Sequence, residues 1–155
     1  NLCQRVISFN EKNCNLIIPK NNSFNKDDLE LLKRFSDNFD MLVKYIDNQD
    51  LNSYMNFVVE SLFLANKYFN DQEPWKKKSD QIRLNTIVYV SLEIIRKISI
   101  MLYPVIPSSS LKVLNIFDIS EKEIDFNSIK NHNVLVPNEK IDKINILFAK
   151  IETDD

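Results

Sequence analysis

The spacing of apolar residues predicts an all-α protein: an antiparallel helix bundle with a less regular C-terminal tail packed back on it. Two observations carry that prediction. First, apolar side chains recur at intervals of a helical turn in three separate stripes. One is Leu29, Leu32, Phe35, Phe39, Leu42, Val43 and Ile46; another is Leu51, Tyr54, Met55, Val58, Leu62, Ala65 and Phe69. The third is Ile82, Val88, Leu92, Ile95, Ile98, Met101 and Leu102. Second, only the polar turn Asp47-Asn48-Gln49-Asp50 separates the first two stripes, and a connection that short makes its helices antiparallel neighbours.

Taken in order, residues 1–9 place Leu2, Val6, Ile7 and Phe9 on one side of a first helix and Asn1 and Arg5 on another. Residues 10–25 read as a loop, because Pro19 and a cluster of Asn and Ser interrupt the pattern despite Leu16-Ile17-Ile18. Asn25 is the expected N-cap of a single helix over 27–46, with Asp27, Asp28 and Glu30 well placed against its dipole. The next helix starts at Leu51 and ends near Asn70, ahead of Pro74, whose ring disfavours helical geometry in the residue before it.

Ser79 or Asp80 then caps a helix that runs to Leu102, where Pro104 and Pro107 stop it. Ile87, Val90, Ile94 and Ile100 widen its stripe, so this helix belongs at the centre of the bundle. A short helix over 108–115 is capped by Ser108, Ser109 and Ser110, and Ser120-Glu121-Lys122-Glu123 has the spacing of a capping box. Beyond it, 134–136 reads as extended, 139–144 as a helical turn, and 146–151 as an apolar tail laid over the bundle. The expected organisation is a bundle over 1–115 and short helices with a tail over 116–155, within one domain.

Composition narrows the function. The 155 residues are 44% hydrophobic and 27% charged with a formal net charge of -2, so a nucleic-acid partner must be met by a local patch rather than by bulk positive charge. Glycine is absent, which excludes a P-loop and a GxGxxG turn. Cys3 and Cys14 have no metal-ligand spacing and read as free thiols; no metal site is expected. There is neither a long apolar run nor a signal-peptide pattern, so a cytoplasmic protein without a membrane partner is expected.

Catalysis finds no residues to carry it. The sole histidine, His132, lies in a polar Asn131-His132-Asn133 stretch and reads as a surface-loop residue; capping accounts for the serines and the paired acids. Binding is better equipped. Trp75, the only tryptophan, follows Pro74 at a helix junction and precedes Lys76, Lys77 and Lys78. It offers a flat face for an unstacked base, while Arg5 offers a fork of donors and Asn1 both donors and an acceptor for the base edge. Such a pair distinguishes cytosine from uracil, whose donor and acceptor positions differ. The three lysines suit a phosphate backbone, since positive charge just before a helix N-terminus opposes the dipole. The alternative for Trp75 is a plug at the end of the bundle or an anchor for a protein partner; for Asn1, Arg5 and the lysines it is a solvated surface.

Asn1-Leu2-Cys3-Gln4-Arg5 resembles the NLxxR helix that opens the anticodon-binding domain of methionyl-tRNA synthetases. Asn66-Lys67-Tyr68 with Glu73-Pro74-Trp75 is similar to that family's N-x-Y and P-W segment, and Leu102-Tyr103-Pro104 with Ile106-Pro107 to its LxPxxP element. Leu147-Phe148-Ala149-Lys150-Ile151-Glu152 resembles its terminal LFPRIE, with Ala149 and Lys150 departing from the pattern. The resemblance implies a bundle of the class Ia synthetase type, attached to a Rossmann-type catalytic domain upstream of Asn1 that uses ATP with Mg2+ and methionine. This segment is then non-catalytic and has no cofactor of its own. Its implied partner is the CAU anticodon loop of tRNA(Met), with Trp75 stacking on a base, Pro74 shaping the turn, and Asn1 and Arg5 reading the cytosine. The cysteine, leucine, isoleucine and valine enzymes share the architecture, so fold alone does not select methionine.

Overall fold

The computed structural model describes residues 1–143, to which every structural statement below refers. They form six α-helices: α1 (Leu2–Cys14), α2 (Lys26–Asp37), α3 (Phe39–Asp47), α4 (Leu51–Gln72), α5 (Gln81–Leu102) and α6 (Pro107–Ile116). Helix α5 is the axis of the bundle. It packs against α1, α2, α4 and α6, and almost every residue from Leu84 to Met101 is buried. The width of its apolar stripe dictates that position, since a helix apolar all round must be covered all round.

Helix α1 is longer than the sequence pattern suggests, because its core face continues through two residues that do not score as strongly apolar. Asn10 and Cys14 are both buried, and Asn10 donates to the Ile17 carbonyl at 2.9 Å. The chain leaves α1 through Asn15 and Leu16, both with positive φ. Leu16-Ile17-Ile18 then pairs with the far end of the chain: Ile17 bridges Lys140, and Ile18 accepts from the Asn138 amide at 2.8 Å. Residues 139–143 are therefore extended rather than a helical turn. The Ile141 amide donates to Leu16 at 2.8 Å, so a pairing partner far away in sequence overrides the local preference.

The single helix expected over 27–46 is two. At Asn38 the backbone leaves helical geometry (φ -102°, ψ 7°), and the Asn38 side chain donates to the Arg34 carbonyl at 2.8 Å. Asparagine competes with the backbone for such bonds, and an unbroken apolar stripe hides the break. The change of direction carries Phe39 onto Phe126, with ring centroids 5.4 Å apart. At the start of α2, Asn25 and Asp28 close a reciprocal capping box. Asp80, rather than Ser79, caps α5 by accepting from the Arg83 amide at 3.1 Å.

Helix α6 starts directly on Pro107 and has no side-chain cap, so the serines do not serve that purpose; the Ser110 hydroxyl is buried without a partner. After it come two 3-10 turns, Glu121–Glu123 and Phe126–Lys130. The first carries the expected capping box between Ser120 and Glu123, the Glu123 carboxylate accepting from the Ser120 amide at 3.3 Å. Residues 134–136 form no strand, because the Val134 and Leu135 amides both donate to one oxygen of Glu93, each at 2.7 Å. The apolar tail expected over 146–151 lies outside the described residues.

A buried charge cluster on α5 holds this irregular segment. Glu93, Arg96 and Lys97 are each 0% exposed. Arg96 pairs with Glu93 at 2.8 Å and donates to the Ser128 carbonyl at 3.1 Å, while Lys97 donates to the Ile129 and Asn131 carbonyls. Backbone carbonyls and amides that have no ladder to join are satisfied by charges that have no water. Burial, with Arg96 beside it, pulls the Lys97 ammonium down to about 7.

Candidate nucleic-acid interface

The junction between α4 and α5 sets the position of Trp75. Helix α4 runs to Gln72, two residues beyond the expected end, and Glu73 then takes left-handed geometry at φ 47°. In a chain without glycine a side chain must bear that conformation, at a cost of roughly 1–2 kcal/mol. Pro74 starts a 3-10 turn, Pro74–Lys76, and is buried beneath it. Trp75 comes out on the surface with 41% of its area exposed, its ring edge-on to the buried ring of Phe69 at 6.0 Å and 63°. A tryptophan that plugged the bundle would be buried; this one is braced from below and open to solvent.

Helix α1 delivers its polar face to the same place. The Arg5 guanidinium lies over the Phe69 ring at 5.4 Å and donates to the side-chain oxygens of Asn66 at 3.2 Å and Asn70 at 2.6 Å. Phe69 is thus shared by Arg5 and Trp75, and residues about seventy apart in sequence meet on one surface. Asn1, a turn before Arg5, is exposed, and its side chain makes no cap bond among the described residues. Arg5, half-buried, and the exposed Trp75 thus meet at Phe69, with Pro74 buried under the turn, while Asn1, one turn back on α1, borders a cleft with Leu62 and Ile106.

The lysines divide. Lys76 pairs with Glu73 at 2.9 Å, and Lys77 donates to the Gln72 carbonyl. Both turn back to the C-terminal end of α4, where positive charge complements the dipole, instead of opposing the dipole of α5. Local partners therefore account for two of the three. Lys78 is exposed and has no carboxylate partner among the described residues.

The sequence reading missed the residues that hold this patch. Asn66 and Asn70 stand a turn apart on α4 and fix the Arg5 fork; that spacing of two amides was visible, but its partner was not. Beneath them Asp28, fully buried, accepts from Arg83 at 2.7 and 2.9 Å and from the Tyr68 hydroxyl at 2.5 Å. Burial alone would raise the Asp28 carboxyl, but the bonds from Arg83, Tyr68 and the Asn25 amide outweigh it and hold it below its ordinary value. His132 is half-buried rather than a surface residue; burial and the neighbouring Lys97 lower its pKa, and its Nδ1 has no partner.

In fold, the chain is of the class of helical domains found in aminoacyl-tRNA synthetases. It matches the apo form of Mycobacterium tuberculosis methionyl-tRNA synthetase with a TM-score of 0.90 at 26% identity, over 99% of this chain and 32% of that one. The same organism's enzyme bound by methionyl-adenylate matches at 0.88 and 27% identity, over 96% of this chain and 30% of that one. Sequence narrows the class: the family model for the anticodon binding domain of methionyl tRNA ligase matches residues 18–155, and the chain belongs to that family. The methionine–tRNA ligase of Brucella suis is 33% identical over 127 residues, covering 81% of this chain and 25% of that protein. That of Thermotoga maritima is 31% identical over 157 aligned positions, covering 100% of this chain, α1 included, and 25% of that protein. The chain spans about a quarter of the length of these curated relatives.

Proposed function

We propose that this chain reads the CAU anticodon of tRNA(Met) for a methionine–tRNA ligase. The observation that carries the proposal is the shared Phe69 ring, which brings the Arg5 fork and the exposed Trp75 face to one surface. Trp75 stacks on the first anticodon base; Arg5 and Asn1 read its edge, donating to the acceptors of cytosine and accepting from its amino group. Arg5 keeps guanidinium hydrogens for this task beyond the two given to Asn66 and Asn70. Pro74 and the left-handed Glu73 set the turn, and Lys78 faces the phosphate backbone.

Activation of methionine with ATP and Mg2+, and its transfer to tRNA, belongs in this proposal to a Rossmann-type catalytic domain elsewhere in the ligase. The absence of glycine rules out a phosphate-cradling loop here. The work is cytoplasmic in this reading; among the described residues no helix is long and apolar enough to cross a membrane.

The test is Trp75→Ala in the intact ligase. Affinity for a CAU anticodon stem-loop should fall roughly ten- to a hundredfold, as loss of one base stack predicts. Methionine activation without tRNA should stay near normal. Activation falling while stem-loop binding holds would overturn the assignment.

A further inference from the structure

The stretch that carries Trp75 is closed across its base by a contact that the anticodon reading does not require. Gln72 is the last residue of α4 and Arg83 lies in the first turn of α5; the Arg83 guanidinium donates to the Gln72 side-chain oxygen at 2.7 Å. The same guanidinium forks onto Asp28, at 2.7 and 2.9 Å, so its orientation is fixed from a third helix. Gln72 is held at two further points: its side-chain amide donates to Asp27 at 3.2 Å, and its carbonyl accepts from Lys77. Between these ends the chain is short, with Glu73 left-handed and Lys77 donating its amide to Pro74 at 3.0 Å to close a 3-10 turn.

We propose that Gln72 and Arg83 form a positioning clasp that sets the pose of Trp75 and thereby the strength of anticodon stacking. This rests on the reading of Trp75 as the stacking platform. The clasp residues touch no base. They act by removing the freedom of the junction, so that the indole is in its binding pose before RNA arrives and less ordering entropy is lost on association. Asp28 is the fixed point: buried, ionised and saturated with donors, it cannot turn away from Arg83 without leaving a charge unpaired.

Because Trp75 is the only tryptophan of the chain, its fluorescence anisotropy reports the clasp directly, without RNA. Gln72→Met removes the acceptor at similar volume, Arg83→Lys keeps a charge beside Asp28 but lacks the fork, and Gln72→Glu combined with Asp27→Asn retains an acceptor for Arg83 while the new amide at position 27 supplies the donor that position 72 loses. Gln72→Met and Arg83→Lys should each lower the anisotropy of Trp75 and, in the ligase that carries this chain, weaken CAU stem-loop binding about tenfold, as loss of preorganised geometry predicts. Gln72→Glu combined with Asp27→Asn should restore the anisotropy, which a general loss of helix stability would not do. Unchanged anisotropy in both Gln72→Met and Arg83→Lys, or a Gln72→Glu/Asp27→Asn protein indistinguishable from Gln72→Met, overturns the clasp. If Trp75→Ala binds the stem-loop undiminished, the anticodon reading fails on its own, while the anisotropy still decides whether the clasp exists.

Discussion

Arg5 is packed on Phe69 and tied to Asn66 and Asn70, and it shares the Phe69 ring with the exposed Trp75. In the proposed anticodon reading a guanidinium held this way acts as a rigid reader, whereas a lysine in its place would be a point charge on a flexible stem. Arg5→Ala should therefore relax the preference for CAU over UAU stem-loops, measured as the ratio of their dissociation constants, and Arg5→Lys should not restore it. An unchanged ratio removes Arg5 from the readout. At this scale the candidates themselves were legible in the sequence: a tryptophan among polar neighbours, and an amide and a guanidinium one turn apart. Their supports were not, since nothing local marks Asn70 as the partner of Arg5 or Gln72 as the partner of Arg83.

Between helices, the structure is joined by ionised groups where the sequence suggested only apolar stripes. Asp28 reads as a first-turn acid serving the dipole of α2, and it does cap that helix, but its larger part is to tie α2 to α4 and α5 through Tyr68 and Arg83. The tie predicts a sign for the response to acid. The folded state holds the Asp28 carboxyl below its ordinary value of 3.8, so on acidification the unfolded chain takes up the proton first. Its stabilising contribution is complete above that value and is lost as pH falls through the folded-state pKa. Urea midpoints measured from pH 7 down to pH 3 should show unchanged protein and Asp28→Asn well apart at neutral pH and converging in acid. A gap that stays constant would show that ionisation of Asp28 does not stabilise the fold. The break at Asn38 has a related origin: one side-chain amide bonding to the Arg34 carbonyl redirects a stripe that reads as continuous.

Across the whole molecule, the irregular segment after α6 completes the core. Tyr89 donates to the Leu135 carbonyl at 2.7 Å, and Glu93, Arg96 and Lys97 take their remaining partners from 128–135. A chain cut to residues 1–115 would strip Glu93, Arg96 and Lys97 on the central helix of their partners in 128–135, leaving ionisable groups at the core with unsatisfied hydrogen bonds. The truncated chain is thus expected to lose its cooperative thermal transition, followed by circular dichroism; a sharp transition at the original temperature would make 116–155 an appendage. Periodicity, capping residues and the proline positions determined by themselves that the chain is a helical bundle with α5 at its centre. They do so because burial of a stripe and satisfaction of helix ends are local demands, written every few residues. Only the tertiary structure decided that α1 extends through Asn10 to Cys14, that 139–143 pairs with Leu16 and Ile18, and that Arg5 and Trp75 share Phe69. Each of those depends on a partner remote in sequence, whose contribution appears only once the chain has folded back on itself.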